Sequence, residues 1–222
     1  MLIVDPKDLH IDNNSSINIV VMNFLSIDCS TDLGTLFLKV KNKTFSKVLQ
    51  SDKSNNDLLM QKILDFFTEN NLNFGEVSAI FVNQGPGNFS GLRSSLSIAK
   101  GISLAKNINL FGYNVFLWSC AKFINDKIDI YSLIRFRDKY FIKKFDENLN
   151  SKMKAIEVTK EEIVKKFTNK LKVIPKQMTK NFDEKMLKMG NLNIIDLDHN
   201  ELESLHLKGL LNKDLIKPFY LS

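Results

Sequence analysis

Two short stretches hold the residue types that could do chemistry. The first is IDCST at 27–31, where Asp28, Ser30 and Thr31 stand together at the end of an apolar run. A carboxylate beside two hydroxyls is an oxygen donor set suited to Mg²⁺ and phosphate. The second is NQGPGNFSGLR at 83–93. Gly85 and Gly87 admit backbone conformations that other residues resist, and Pro86 stiffens the turn between them. Asn88 or Ser90 can cap a following helix, whose first N–H groups could hold an anion. Asp28, Ser30, Thr31, Gly85 and Gly87 are therefore the candidate phosphate- or nucleotide-facing set. The loop is not a dinucleotide fingerprint, because its third glycine falls one residue late for GxGxxG, and it is not a Walker loop, because no GK[ST] follows.

Other chemistries lack residues. Two-metal nuclease cleavage needs several convergent carboxylates. Asp28 could be one, but the strand at 78–82 ends in Asn83, and the helix before it offers only Asp65 and Glu69. The histidines His10, His199 and His206 form no HxxxH or HExxH pattern. Surface positions explain them more simply than a metal site, which needs more ligands. The expectation is that no residue is catalytic and none binds a metal.

These stretches need elements to position them. Phe24–Asp28, Leu33–Val40 and Thr44–Gln50 read as three strands joined by tight turns. A helix over about 57–70 carries Leu59, Ile63, Phe66 and Phe67 at helical spacing. Ser78–Val82 is a buried-type strand, followed by the glycine loop, a helix over 90–107, a strand at 110–113 and a helix over 115–124. The order β-β-β-α-β-α-β-α is that of a ribonuclease-H-like lobe, the building block of actin-like ATPases. A second, reduced lobe follows, with a strand pair at 128–136 and 139–145, a strand at 155–158 and a helix at 159–168 opened by a Thr159/Glu162 capping box. Residues 171–211 give a weaker pattern, with a strand at 194–197 and a helix at 200–211. The expected divisions are an N-terminal extension at 1–21, a first lobe at 22–126 and a second at 127–222. In actin-like ATPases a second glycine loop and a second carboxylate close round the nucleotide. The second half holds only Gly190 and Gly209, far apart. A complete ATPase site is not expected, and Asp28 reads as an acceptor for neighbouring backbone N–H groups.

The longest apolar run, 17–27, is interrupted by Asn18, Asn23 and Ser26 and is too short to span a bilayer. The acidic start, with Asp5, Asp8 and Asp12, does not resemble a signal peptide. Cys29 and Cys120 suggest no disulfide framework, so a cytoplasmic location without membrane contact is expected. The net charge of +6 arises wholly after Asp126: the first 126 residues balance, whereas the remainder holds 20 basic and 14 acidic residues. A basic half can attract nucleic acid, but only three of the basic residues are arginines, the better marker of specific phosphate contact. Contact with tRNA is expected to be weak or indirect.

GPGNFSGLR at 85–93, with Ala99–Lys100–Gly101 in the next helix, resembles the GPGSFTGLR…AKG signature of the bacterial TsaB (YeaZ) family. FLSIDCST at 24–31, LFGYNVFLWSCAKF at 110–123, IRFRDKYFIKKF at 134–145 and PFYLS at 218–222 are similar to further family segments. The resemblance implies a non-catalytic subunit in the threonylcarbamoyl modification of a tRNA adenosine. It would pair with the catalytic TsaD-type subunit, or with a second copy of itself, through its first two helices. Leu59, Ile63, Phe66, Gly91, Ser95, Ile98 and Ile102 are the interface residues so implied. A TsaE-type ATPase would join the pair. ATP, Mg²⁺ and metal would serve the partner subunits, with no cofactor bound here. The alternatives are a diverged actin-like small-molecule kinase and a homodimeric binding protein.

Overall fold

The computed structural model describes residues 22–31, 33–49, 58–214 and 216–221; the extension expected at 1–21 lies outside them. The chain forms two compact units. The first comprises the described part of residues 1–112 together with 212–218, and the second comprises 113–211 with the tail from Phe219. The division thus falls between Gly112 and Tyr113, not at 126. The cause is the helix Val115–Cys120, which packs on strands of the second unit.

The first unit opens with β1 (Phe24–Asp28), β2 (Gly34–Val40) and β3 (Lys43–Leu49), continues through α1 (Leu59–Glu69), β4 (Ala79–Asn83) and α2 (Phe89–Lys106), and closes on β5 (Asn109–Tyr113). Its strand order is β3-β2-β1-β4-β5. β1 runs antiparallel to β2, with Ile27 opposite Leu36, and parallel to β4, with Ile27 opposite Val82. Alternation along β1 sends Leu25 and Ile27 to one face. There they join Leu59, Ile63, Phe66 and Phe67 of α1 and Leu96, Ala99 and Ile102 of α2 in one core. The same alternation sends Phe24 to the opposite face, where its ring lies 5.6 Å from that of Phe37 and 4.7 Å from that of Phe81.

The second unit holds α3 (Val115–Cys120), β6 (Ile130–Phe136), β7 (Lys139–Phe145), β8 (Ile156–Val158), α4 (Lys160–Phe167), β9 (Lys172–Pro175), α5 (Glu184–Leu187), β10 (Leu192–Ile195) and α6 (Glu201–Leu207). Its order, β10-β9-β6-β7-β8, repeats the plan of the first sheet strand for strand. The lobe is reduced in the length of its elements, not in their number. β8, β9 and β10 have three, four and four residues, against seven, five and five in β3, β4 and β5. The expected capping box is present, with the Glu162 N–H donating to Thr159 Oγ1 at 3.2 Å and the Thr159 N–H to Glu162 Oε2 at 3.0 Å.

Strand β9 has no sequence signature because its first residue is a lysine. Lys172 is fully buried, and its ammonium is caged by backbone carbonyls. Nζ donates to Phe167 and Thr168 at the end of α4 at 2.7 and 3.0 Å, to Lys170 at 2.6 Å and to Gly190 at 3.2 Å. Those oxygens sit at a helix end and two turns, and one cation gathers them, with Phe167 O also accepting the Lys170 N–H at 3.0 Å. Burial pulls the lysine below its ordinary pKa, while the cage favours its charged form. Lys172→Met removes the donor shared by these carbonyls, so it should cost about 2–4 kcal/mol, read as a lower urea midpoint.

Candidate functional site

The glycine loop closes on the end of β1. Asp28 is buried at the strand terminus, and its Oδ1 accepts the Ser30 N–H at 2.8 Å and the Asn83 side-chain amide at 3.1 Å. The same amide reaches Ser30 Oγ at 3.1 Å, and Asn83 Oδ1 takes the Gly85 N–H at 2.8 Å. Asn83, at the end of the adjacent parallel strand, thus stitches the β1 terminus to the loop. Burial raises the Asp28 carboxyl above its ordinary pKa against the opposing pull of these hydrogen bonds.

Each glycine in the loop has a separate cause. Gly85 adopts φ +108°, a backbone region that side chains resist. A Cβ on Gly87 would stand 2.6 Å from Cβ of Ser30 and collide with that residue's carbonyl. A Cβ on Gly91 would collide with the Cys29 carbonyl. The two absent methyl groups let the loop and the first turn of α2 lie directly on the backbone of β1. The Asn88 N–H then donates to Ser30 O at 2.7 Å, and the Asn88 side chain caps α2 by accepting from Ser90 and Gly91 at 3.1 and 3.4 Å.

This geometry decides what the loop can hold. The N–H groups of Gly85, Asn88, Ser90 and Gly91 are all engaged within the chain. Asp28, Ser30, Gly85 and Gly87 come together in one corner, where hydrogen bonds through Asn83 link the first three and Gly87 packs on Ser30. Thr31 stands apart from it, its hydroxyl donating to Leu33 O at 2.8 Å.

The helices also depart from expectation. Leu59, Ile63, Phe66, Ser95 and Ile102 are buried in their own unit. Gly91 is buried against β1, and Ile98 is a partly buried edge residue of the same core. Six of the seven are buried within their own unit, because the face chosen by apolar periodicity is the face the sheet requires, and Ile98 is partly exposed. The exposed apolar residues are Met60 and Leu64 on α1 and Phe89 and Leu104 on α2, with Leu104 84% exposed. On α2, Phe89, Arg93, Ser97, Gly101 and Leu104 recur at helical spacing as one exposed stripe. A Cβ on Gly101 would meet nothing within 4 Å, so this chain gives no packing reason for a glycine there.

Sequence reasoning missed Gln84 and Gly112. The Gln84 amide donates to Lys217 O at 2.8 Å, and its oxygen accepts from the Asn212 side chain at 2.6 Å. A Cβ on Gly112 would strike that same side chain. Together they fasten segment 212–218 to the first unit. Gly112, within LFGYN, was the available signal. His199 is also not a surface residue. It is buried with its ring 4.7 Å from that of Trp118, and burial lowers its pKa to about 4. Among the described residues, no group of three or more His, Cys, Asp or Glu could hold a metal ion, and no helix is long and apolar enough to cross a membrane.

Strand orders with β1 flanked by an antiparallel hairpin and a parallel β4, repeated in both units, define an actin-like, ribonuclease-H-like α/β protein. YeaZ from Pseudomonas aeruginosa superimposes with a TM-score of 0.66 at 14% identity, over 90% of this chain and 100% of that one. An uncharacterized protein with similarity to peptidase YeaZ from Pseudomonas aeruginosa gives 0.67 at 14% identity, over 91% and 100%. A sequence profile of the family described as TsaD: tRNA N6-adenosine threonylcarbamoyltransferase matches residues 50–125. The tRNA threonylcarbamoyladenosine biosynthesis protein TsaB of Buchnera aphidicola subsp. Baizongia pistaciae is 31% identical over 91 residues. That stretch spans 40% of this chain and 40% of the relative's length. The sequence likeness thus covers part of the chain, and the likeness to the YeaZ structures is one of fold over nearly all of it.

Gly87→Ala should lower stability by about 1–3 kcal/mol through overpacking on β1. Gly101→Ala should leave it equal or raised by up to about 1 kcal/mol. Paired urea titrations separate the two. Because burial raises Asp28, the native state is favoured while the carboxyl is neutral, and stability is lost as pH rises from the ordinary carboxylate range through the raised value. Asp28→Asn keeps an acceptor oxygen and should flatten that dependence, read as urea midpoints across an acid-to-neutral series.

Proposed function

We propose that this chain acts in threonylcarbamoyl modification of tRNA adenosine as a subunit that supplies surface instead of chemistry, paired with a TsaD-type catalytic protein. The observation that carries the reading is the sealed corner at the end of β1. Asp28 is occupied by Asn83 and the Ser30 amide, and four amides of the glycine loop are spent inside the chain. A phosphate would have to displace these bonds to bind. The loop's glycines serve close packing, and the helix they launch carries the exposed stripe from Phe89 to Leu104.

That stripe, with Met60 and Leu64 of α1, is the surface offered to the partner. Exposed large apolar side chains on adjoining helices mark a protein contact, and a glycine at 101 lets another helix approach α2 closely. The two helices touch each other and cover the same face of the sheet, so their outer sides can be met by one partner. ATP, metal and a TsaE-type ATPase belong, on this reading, to the other subunits of the assembly.

Co-purification with a TsaD-type protein tests the proposal. Leu64→Glu and Leu104→Glu change exposed positions, so they should leave stability within about 0.5 kcal/mol. They should weaken the complex at least tenfold, measured by titration calorimetry. Ile63→Glu or Ile102→Glu would only unfold the core. The purified chain should show no ATP turnover, and Asp28→Asn should leave assembly unchanged. Turnover by the chain alone, abolished in Asp28→Asn, would replace this reading with the kinase one.

A further inference from the structure

The second unit contains a cavity of about 350 Å³ whose lining includes Phe141, Lys143, Ser151, Lys154, Phe219 and Tyr220. The volume lies within the range of small-ligand sites. Two lysines line it and, among the described residues, no carboxylate does. The nearby acids are committed elsewhere: Asp129 pairs with Lys144, Asp146 with Lys152 at 2.9 Å, and Glu157 with Lys139 at 2.7 Å. Neither Lys143 nor Lys154 makes an ion pair among the described residues.

Lys143 is the more informative of the two. It is half-buried, and its ammonium lies 5.3 Å from the centroid of the Phe145 ring and 5.8 Å from that of Phe219. The thiol of Cys120 is no counter-ion, because burial keeps it protonated. Desolvation without a compensating anion holds the lysine below its ordinary pKa. A desolvated cation over ring faces, beside a second unpaired cation, a hydroxyl and a half-exposed tyrosine, matches a ligand that has both a negative group and a flat ring. Phosphate would sit between the lysines and Ser151, with the base against Phe219 and Tyr220.

We propose that this cavity binds a nucleotide, the phosphate held by Lys143 and Lys154 and the base by the aromatic side chains of the tail. The site lies wholly within the second unit and does not depend on the partnership proposed above. A free nucleoside monophosphate and an unpaired nucleotide of an RNA strand share this chemistry, and the experiment separates them.

Calorimetric titrations of the full chain with adenosine monophosphate, adenosine, inorganic phosphate and a heptaadenylate RNA test it. The monophosphate should bind saturably and about tenfold tighter than adenosine or phosphate alone. Lys143→Met, Lys154→Gln and Phe219→Leu should each weaken it about tenfold. RNA that binds tighter than the monophosphate, with a log–log salt slope near about −1.4 that falls to about −0.7 in Lys154→Gln, assigns the site to a strand. Equal affinity for the two assigns it to a free nucleotide. Lys154 is exposed, so its substitution leaves the fold intact by circular dichroism even if Lys143→Met does not. Absence of saturable binding by both monophosphate and RNA, or unchanged affinity in Lys154→Gln and Phe219→Leu, overturns the proposal.

Discussion

The approach of the glycine loop to the backbone of β1 is the contact on which the first unit depends. Two residues without side chains, Gly87 and Gly91, rest on the carbonyls of Ser30 and Cys29. That contact brings the Asn88 N–H within 2.7 Å of Ser30 O and fixes where α2 starts. From that starting point, Leu96, Ala99 and Ile102 reach the core and Leu104 is left outside. It also places Asn83 between Asp28, Ser30 and Gly85, which closes the strand end. Packing and the engagement of the loop's amides are here one geometric event. A loop that lay farther from β1 would leave its amides open to an anion, but it would forfeit the close packing of the helix it launches.

The same strand plan solves a different electrostatic problem in each unit. In the first, a buried carboxylate at the end of the first strand is satisfied by an amide side chain from the neighbouring parallel strand. In the second, a buried ammonium at the start of β9 is satisfied by carbonyls from a helix end and two turns. Both groups are held by dipoles and not by an opposite charge, so each costs little specificity and demands exact neighbours. Elsewhere in the second unit eight basic residues, Lys139 and Lys160 among them, have acidic partners, and such pairs contribute modestly at the surface. Lys143 and Lys154 stand out because they line a cavity together.

The comparisons fit this division of labour. The whole-chain likeness is one of fold, at 14% identity, while the family profile matches residues 50–125, the stretch that includes the glycine loop and α2. The loop and helix are also where backbone contact leaves least freedom. Second-unit elements such as β8 and β10 are short and stand at sheet edges, where many sequences satisfy the same pairing.

Local pattern was enough for the first unit. The alternation in FLSID, the helical repeat of Leu59, Ile63, Phe66 and Phe67, and the glycine spacing each report an interaction between residues close in sequence or a single burial direction. The family resemblance of GPGNFSGLR was likewise readable, because those glycines answer to steric contacts that no other residue meets. Tertiary structure decided what those patterns mean. The apolar stripes of α1 and α2 were legible as buried, but only the packed sheet showed that they serve this chain's own core and that Leu64 and Leu104 face outward. The anion-binding promise of the loop was legible as free amides, and only the fold showed their acceptors on Ser30, Asn83 and Asn88. β9 was hidden because a buried lysine breaks apolar patterning, and its satisfaction comes from residues as distant as Gly190. Gln84 and the returning segment 212–218 were hidden for the same reason. Sequence records which side chains prefer to leave water, whereas the identity of their polar partners is settled only when distant segments meet.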